Sequence, residues 1–381
     1  MPDLDLERLR SLTCIKWSYF DGDVLPAWVA DMDLPPADVV LDAGRALFDR
    51  GDLGYNFAAQ AQLPEVFAAR QERRFGWKLD HERVRVICDV MQGVEMAVWA
   101  HTKPGDGVVL LTPVYHPFYR TIAKAGCRLV DVPLEADGWR LNAERLEAAI
   151  DEGTRVLLLC NPHNPAGRTF TREELLAMAD VAERHDLLVV SDEIWADLTY
   201  TEGEHIPFAS LSEDAASRTI TITAASKAFN IAGLRTAVMH VGHDGVRAAL
   251  KAIPQHVFGG VSSPGAEATL AAWTKGDEWL ASTVAHLAAN RDHLATRLAE
   301  ELPSVGYRVP EATYVAWLDF RGAGFGDNPA KELLETARVG LSTGTDFGAE
   351  TGKGFARLNF ATTRPILDAI IDRIVAAATR S

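Results

Sequence analysis

The sequence predicts an α/β protein: a large domain built on a mostly parallel sheet between helices, followed by a smaller C-terminal α+β domain. Three observations carry this expectation. Short, nearly continuous apolar runs recur along the chain, amphipathic stretches alternate with them, and the pattern changes near residue 280. A strand covered on both faces needs apolar side chains on both, so it reads as an unbroken run. Residues 107–112 (GVVLLT), 155–160 (RVLLLC), 187–191 (LLVVS), 219–223 (TITIT) and 237–242 (AVMHVG) are such runs. Between the second and third, 171–185 (TREELLAMADVAERH) carries apolar residues at spacings of three and four. Thr171 precedes Glu174 there as in a capping box, which marks a helix start. Strand–helix alternation of this kind defines α/β layering. Further on, 277–302 reads as one long helix, 314–320 (YVAWLDF) and 356–360 (ARLNF) as strands, and 363–380 as a final helix. The expected organisation is an N-terminal segment 1–40 packing with the small domain, a large domain 41–280 and a small domain 281–381.

Composition narrows the function. The 381 residues are 48% hydrophobic and 24% charged, as in ordinary globular proteins. Lysine and arginine total 38 against 53 acids, a formal charge of −15. That balance repels nucleic-acid phosphates and anionic lipid, so neither is an expected partner. Four scattered cysteines (Cys14, Cys88, Cys127, Cys160) read as reduced thiols. The charged start MPDLDLERLR lacks a signal-peptide core. No apolar run reaches the roughly 18 residues that cross a bilayer. A cytoplasmic location follows as the expectation.

Common catalytic motifs are missing. There is no phosphate loop of the G-x-x-x-x-G-K-[ST] type, no H-E-x-x-H and no G-x-S-x-G. The 11 histidines show no metal-ligand spacing, so no metal is expected. What stands out is a spaced set after predicted strands: Asn164 in NPHNPAG, Asp192 in SDEIW 28 residues later, and Lys227 in AASKAFNIAGLR 35 residues further on. Sites in open α/β sheets lie beyond the carboxyl ends of strands, so the three can share one pocket. A lysine placed there is either a solvated ammonium or a desolvated amine of lowered pKa. Only the second forms a Schiff base or takes a proton near neutrality.

These motifs, with RLNFA near the C-terminus, resemble the fold-type I pyridoxal-phosphate (PLP) enzymes of the class I/II aminotransferase superfamily. The segment KWSYFDGDVLPAWVADMDLPPA (16–37) and the later PVYHPF (113–118) resemble its cystathionine β-lyase or C–S lyase branch. The resemblance implies a seven-stranded large-domain sheet, PLP as cofactor, a small amino-acid substrate and a homodimer with shared active sites.

It also implies roles. Lys227 is the Schiff-base lysine and then the base at the substrate's Cα. Asp192 faces the cofactor's ring nitrogen, and Asn164 donates to its phenolate oxygen across an Asn164–Pro165 bond that is often cis. Gly93 and Val94 in VMQGVEMAVWA are expected to open a helix whose free N–H groups bind the phosphate. Arg235 adds charge there, with a hydroxyl from Ser226 or Thr223. Tyr55 in GDLGYN resembles a tyrosine that reaches the neighbouring subunit's phosphate. Tyr115 stacks on the ring or, like Phe118 and Tyr119, packs the next helix. Arg357 suits the planar substrate carboxylate. Trp28 and Asp33 either line the substrate entrance or are structural. His116 and His163 read as hydrogen-bonding loop residues.

Three departures from the family pattern stand out: Ala224 replaces a phosphate-binding serine, Trp195 replaces an aminotransferase tyrosine, and Glu95 lies beside the expected phosphate loop. The leading functional expectation is α,β-elimination from L-cystathionine or another S-substituted L-cysteine. A class I/II aminotransferase and a PLP-binding regulatory protein are the alternatives.

Overall fold

Seven strands form the central sheet of the computed structural model, which describes residues 4–55, 57–200 and 204–379. They are β1 (Val84–Ile87), β2 (Gly107–Thr112), β3 (Arg128–Pro133), β4 (Thr154–Cys160), β5 (Leu188–Asp192), β6 (Thr219–Thr223) and β7 (Ala237–Val241). Their spatial order is β1-β7-β6-β5-β4-β2-β3. The pairs β2/β3, β2/β4, β4/β5 and β5/β6 are parallel, whereas β7 runs antiparallel to both neighbours.

The apolar runs serve two cores at once. In β2, Val108 and Leu110 join a cluster with Val94 and Met96 of helix Val90–His101 on one face. Val109 and Leu111 join Leu175, Met178 and Val181 of helix Arg172–Arg184 on the other. Burying each such side chain contributes roughly 1.5–3 kcal/mol. The capping box is present: Thr171 accepts from the Glu174 amide, and the Glu174 carboxylate accepts from the Thr171 amide at 2.8 Å.

Two strands, β1 and β3, escape the apolar-run criterion because they are the sheet's edges. β3 alternates (RLVDVP), with Arg128, Leu129 and Asp131 exposed. An edge strand with one open face reads as an alternation, not a run.

The C-terminal part contains the long helix Asp277–Glu301, the last helix Arg364–Ala378 and a four-stranded antiparallel sheet. The expected end of the last helix, Arg380, lies outside the described residues. The small sheet comprises β8 (Gly306–Tyr307), β9 (Val315–Asp319), β10 (Ser342–Thr343) and β11 (Phe355–Asn359), in the order β10-β11-β9-β8. Among the described residues no helix is long and apolar enough to cross a membrane.

The N-terminal segment binds this small sheet's surroundings. Leu25–Pro26 pairs in parallel with Val339–Gly340, and the Asn359 amide donates to the Ala27 carbonyl at 2.8 Å. Within the segment Lys16 and Asp33 form a buried ion pair at 2.8 Å, their side chains 1% and 2% exposed. Trp17 Nε1 donates to the same carboxylate at 2.7 Å, and Lys16 Nζ also donates to the Asp31 carbonyl at 3.0 Å. Removing one partner leaves an uncompensated buried charge. Lys16→Met is therefore expected to cost about 3–5 kcal/mol in urea unfolding. Arg45→Met, which removes an exposed pair with Asp42, should cost less than about 1 kcal/mol.

Candidate active site

The parallel strands β2, β4, β5 and β6 end at one edge of the sheet, and the residues just beyond those ends surround one cavity of about 490 Å³. Tyr115 follows β2, Asn164 follows β4, Asp192 ends β5, and Ser226 and Lys227 follow β6. Arg357, from β11 of the small sheet, closes the wall with Trp28, Arg235 and Trp195.

Of the two alternatives that the strand spacing leaves open, Lys227 is the largely desolvated amine, its side chain 20% exposed. Its Nζ donates to the Ala30 carbonyl at 2.7 Å and lies 3.9 Å from the Asp31 carboxylate. Burial pulls its pKa below the ordinary lysine value, partly offset by the charge of Asp31. Asp192 stands in register with Cys160 and Ile222. Burial pushes its carboxyl up to about 7, although the Ile194 amide donates to it at 3.1 Å.

Asn164 and Arg357 hold one another: Arg357 Nη1 donates to Asn164 Oδ1 at 2.9 Å. Nη2 donates to the Trp28 carbonyl at 2.8 Å and to Ser342 Oγ at 3.1 Å, while the buried Nε makes no hydrogen bond. Burial lowers this guanidinium to about 10, which leaves it charged at neutral pH. The Asn164–Pro165 bond is cis, as are Thr112–Pro113 and Asn161–Pro162.

The anion end differs from the sequence expectation. Gly93 and Val94 do not open the helix; it starts at Val90, with Asp89 as its cap. The Gly93 amide already donates to the Asp89 carbonyl at 3.3 Å. A Cβ on Gly93 would come within 2.7 Å of Ile87 Cδ1 and 3.0 Å of Ile222 Cγ2, so glycine here permits close helix–sheet packing. Val94 is fully buried in the core. The first-turn amides of Val90 and Met91 have no intrahelical acceptor, and those two residues line the cavity. Arg235, in the left-handed region at φ +52°, brings its guanidinium onto Asp89 at this terminus. Glu95 is not among the lining residues.

Other candidates separate. Ser226 lines the cavity, but the Thr223 hydroxyl donates to the Glu193 carbonyl at 3.0 Å and stands outside it. Asp33 does not line the entrance either, because its carboxylate is taken by Lys16 and Trp17. Ala224 is buried in the core. Tyr115 both lines the cavity and packs edge-on against Phe118, with ring centroids 5.7 Å apart. Tyr119 donates its hydroxyl to the Phe347 carbonyl at 2.8 Å. His116 lines the wall. His163 is buried between the Pro113 and Cys160 carbonyls, at 2.7 and 3.3 Å, and burial lowers its pKa to about 4. Tyr55 is 96% exposed, beside Phe57 and outside its own chain's cavity.

Sequence reasoning missed the strap of residues 28–34 as a structural part of the site. Asn230 Nδ2 donates to the Met32 and Leu34 carbonyls, and Asn359 Nδ2 to those of Val29 and Asp31. Both asparagines sit inside motifs already singled out, three residues after Lys227 and two after Arg357. Tyr314, whose hydroxyl donates to the Ala30 carbonyl at 2.8 Å, has no such signal.

The cavity fits a flat phosphate ester with a basic ring nitrogen. Asp192 is a buried carboxyl that a protonated ring nitrogen would compensate. Arg235 and a helix N-terminus suit the phosphate. This fold is that of fold-type I PLP-dependent enzymes. The chain belongs to the aminotransferase class I and II family, whose pattern it matches over residues 32–374. It is 37% identical to the cystathionine β-lyase PatB of Bacillus subtilis, over 93% of this chain and 92% of that protein. It is 36% identical to a cystathionine β-lyase of Corynebacterium glutamicum, over 97% and 98% of the two chains. The PLP-bound C–S lyase of Staphylococcus hominis superposes with a TM-score of 0.92 at 28% identity, covering 100% of this chain and 98% of that one.

The raised Asp192 predicts a pH effect on the cofactor-free protein. Between the unfolded carboxyl's pKa near 3.8 and the folded value of about 7, the unfolded chain has released this proton while the folded chain keeps it. Folding is therefore penalised increasingly across that window, up to an order-of-magnitude bound of roughly 4 kcal/mol. Asp192→Asn removes the penalty. Urea unfolding of the cofactor-free proteins should show the variant gaining on the wild type as pH rises from 4 to 7, then holding its lead.

Proposed function

We propose that this C–S lyase-like PLP enzyme catalyses α,β-elimination on L-cystathionine or another S-substituted L-cysteine, releasing a thiol, pyruvate and ammonia. The observation that carries the proposal is the desolvated Lys227 amine, enclosed in one cavity with the buried Asp192 carboxyl and the Arg357 guanidinium. The C–S lyases among the relatives support the choice of reaction. So does the buried Trp195 in place of the aminotransferase tyrosine.

PLP would be held by Lys227 until the substrate's amine takes that place and frees Nζ, and it would supply an electron sink for the carbanion at the substrate's Cα. Asp192 would keep the ring nitrogen protonated. Tyr115 would face the ring, and Asn164 would bind its phenolate oxygen. Arg235, Ser226 and the amides of Val90 and Met91 would hold the phosphate. Tyr55 of a second copy completes that end in a homodimer. Arg357 receives the substrate α-carboxylate beside Trp28 and Asn164, where its unpaired Nε is available for a further hydrogen bond. Lys227 Nζ takes the Cα proton as the Cβ–S bond breaks. The sulfur departs with the bonding pair and is protonated to the thiol, and water converts the remaining three-carbon fragment to pyruvate and ammonia.

The test is pyruvate and thiol release from L-cystathionine and a panel of S-substituted cysteines. One pyruvate per thiol is expected, with activity lowered at least about 10²–10⁴-fold in Lys227→Ala. Conversion of the cofactor to its amine form by an amino donor, without pyruvate from any cysteine derivative, would contradict elimination and establish an aminotransferase.

A further inference from the structure

Lys227 is not alone on the carbonyl that receives it. The Ala30 oxygen accepts from Lys227 Nζ at 2.7 Å and from the Tyr314 hydroxyl at 2.8 Å. A carbonyl oxygen offers two lone pairs, so this acceptor is filled. We propose that Tyr314 is a positioning residue for Lys227, acting through the Ala30 carbonyl: its hydroxyl competes for that oxygen and limits how firmly the lysine is held there as an ammonium. The inference rests on the assignment of Lys227 as the reactive amine.

The surroundings prevent either donor from escaping the competition. Tyr314 is 1% exposed, and burial raises its pKa well above the ordinary tyrosine value, so the hydroxyl keeps its proton and donates. Its ring packs edge-on against Trp195 with centroids 4.7 Å apart, and the Trp195 ring in turn lies 5.9 Å from Lys227 Nζ. Ala30 cannot swing away, because Asn359 binds the carbonyls on both sides of it, Val29 at 2.7 Å and Asp31 at 2.6 Å.

The charged groups facing the amine are Asp31 from the strap, Asp192 from β5 and Arg357 from β11. The two carboxylates favour the ammonium and Arg357 opposes it. Replacing Tyr314 by phenylalanine alters none of these charges. It removes a donor whose hydrogen points at the shared oxygen, returning that oxygen's full acceptor strength to Lys227. The ammonium is then held more tightly. In the working enzyme this grip matters because an amine held as an ammonium cannot take a proton.

The test reads Lys227 directly. Cofactor-free protein is labelled with a trace amine-acylating reagent across a pH series. Modification of Lys227 is quantified by peptide mass spectrometry against Lys78, which is 81% exposed and serves as the internal standard. Tyr314→Phe should raise the labelling midpoint of Lys227 by about 0.5–1 pH unit, seen as roughly three- to tenfold slower modification below the midpoint. Incorporating 3-fluorotyrosine at position 314 strengthens the donor while keeping the ring, and should move the midpoint down. This second variant decides the matter if the phenylalanine variant fails to fold. An unchanged or lowered midpoint in a folded Tyr314→Phe protein overturns the proposal, including the case where only its melting temperature falls. Failure of the assignment of Lys227 itself is a separate result: Lys227→Ala would then retain a borohydride-reducible attachment of added PLP at the site.

Discussion

Every backbone carbonyl from Trp28 to Met32 accepts a hydrogen bond from a side chain elsewhere in the fold. Arg357 and Ser342 bind Trp28, Asn359 binds Val29, Lys227 and Tyr314 bind Ala30, Lys16 and Asn359 bind Asp31, and Asn230 binds Met32. An irregular segment has no ladder to satisfy its polar groups, and leaving them buried and unpaired costs free energy. Here the donors come from three sources: the loop after β6, the small sheet and the N-terminal helix turn. The strap therefore does more than cover the cavity. It ties Lys227, in the loop after β6, and Arg357, in the small sheet, to one piece of backbone. The buried Lys16–Asp33 pair secures that piece from behind.

One cause, desolvation, acts in opposite directions on the two central groups. It lowers Lys227 and raises Asp192, since each resists being charged where water is excluded. In the cofactor-free chain both are stability costs. A ligand that brings a protonated ring nitrogen to Asp192 relieves that residue's cost, and one that brings an anion to the helix start offers Arg235 a partner besides Asp89. The site is thus built to be more stable filled than empty, and stability spent on folding is recovered on binding.

Much of this was legible in the sequence because the signals were local. Central strands buried on both faces announce themselves as apolar runs, and Asn164, Asp192 and Lys227 follow their ends, so topology alone brings them together. The edge strands were hidden because one open face dilutes the run. The helix start was placed three residues late because Gly93 was taken to open it, while that glycine lets the helix approach Ile87 and Ile222. Tyr314, Asn230 and Asn359 act through contacts with the strap 196 to 330 residues away, and no local pattern encodes such a contact. Tyr55 lies outside its own chain's cavity, so a single chain gives its ring no partner in the site.

The order of the strap fixes Lys227 and Arg357, and amide hydrogen exchange of the unmodified protein measures that order directly. The amides of Asp31, Met32 and Asp33 donate to the Val29 carbonyl, Asn230 Oδ1 and the Ala361 carbonyl. They are predicted to exchange as slowly as the amides of β9, opening only when the small sheet opens. Exchange at the rate of an exposed loop, with β9 still protected, would contradict the claim that this segment holds Lys227 and Arg357 in place.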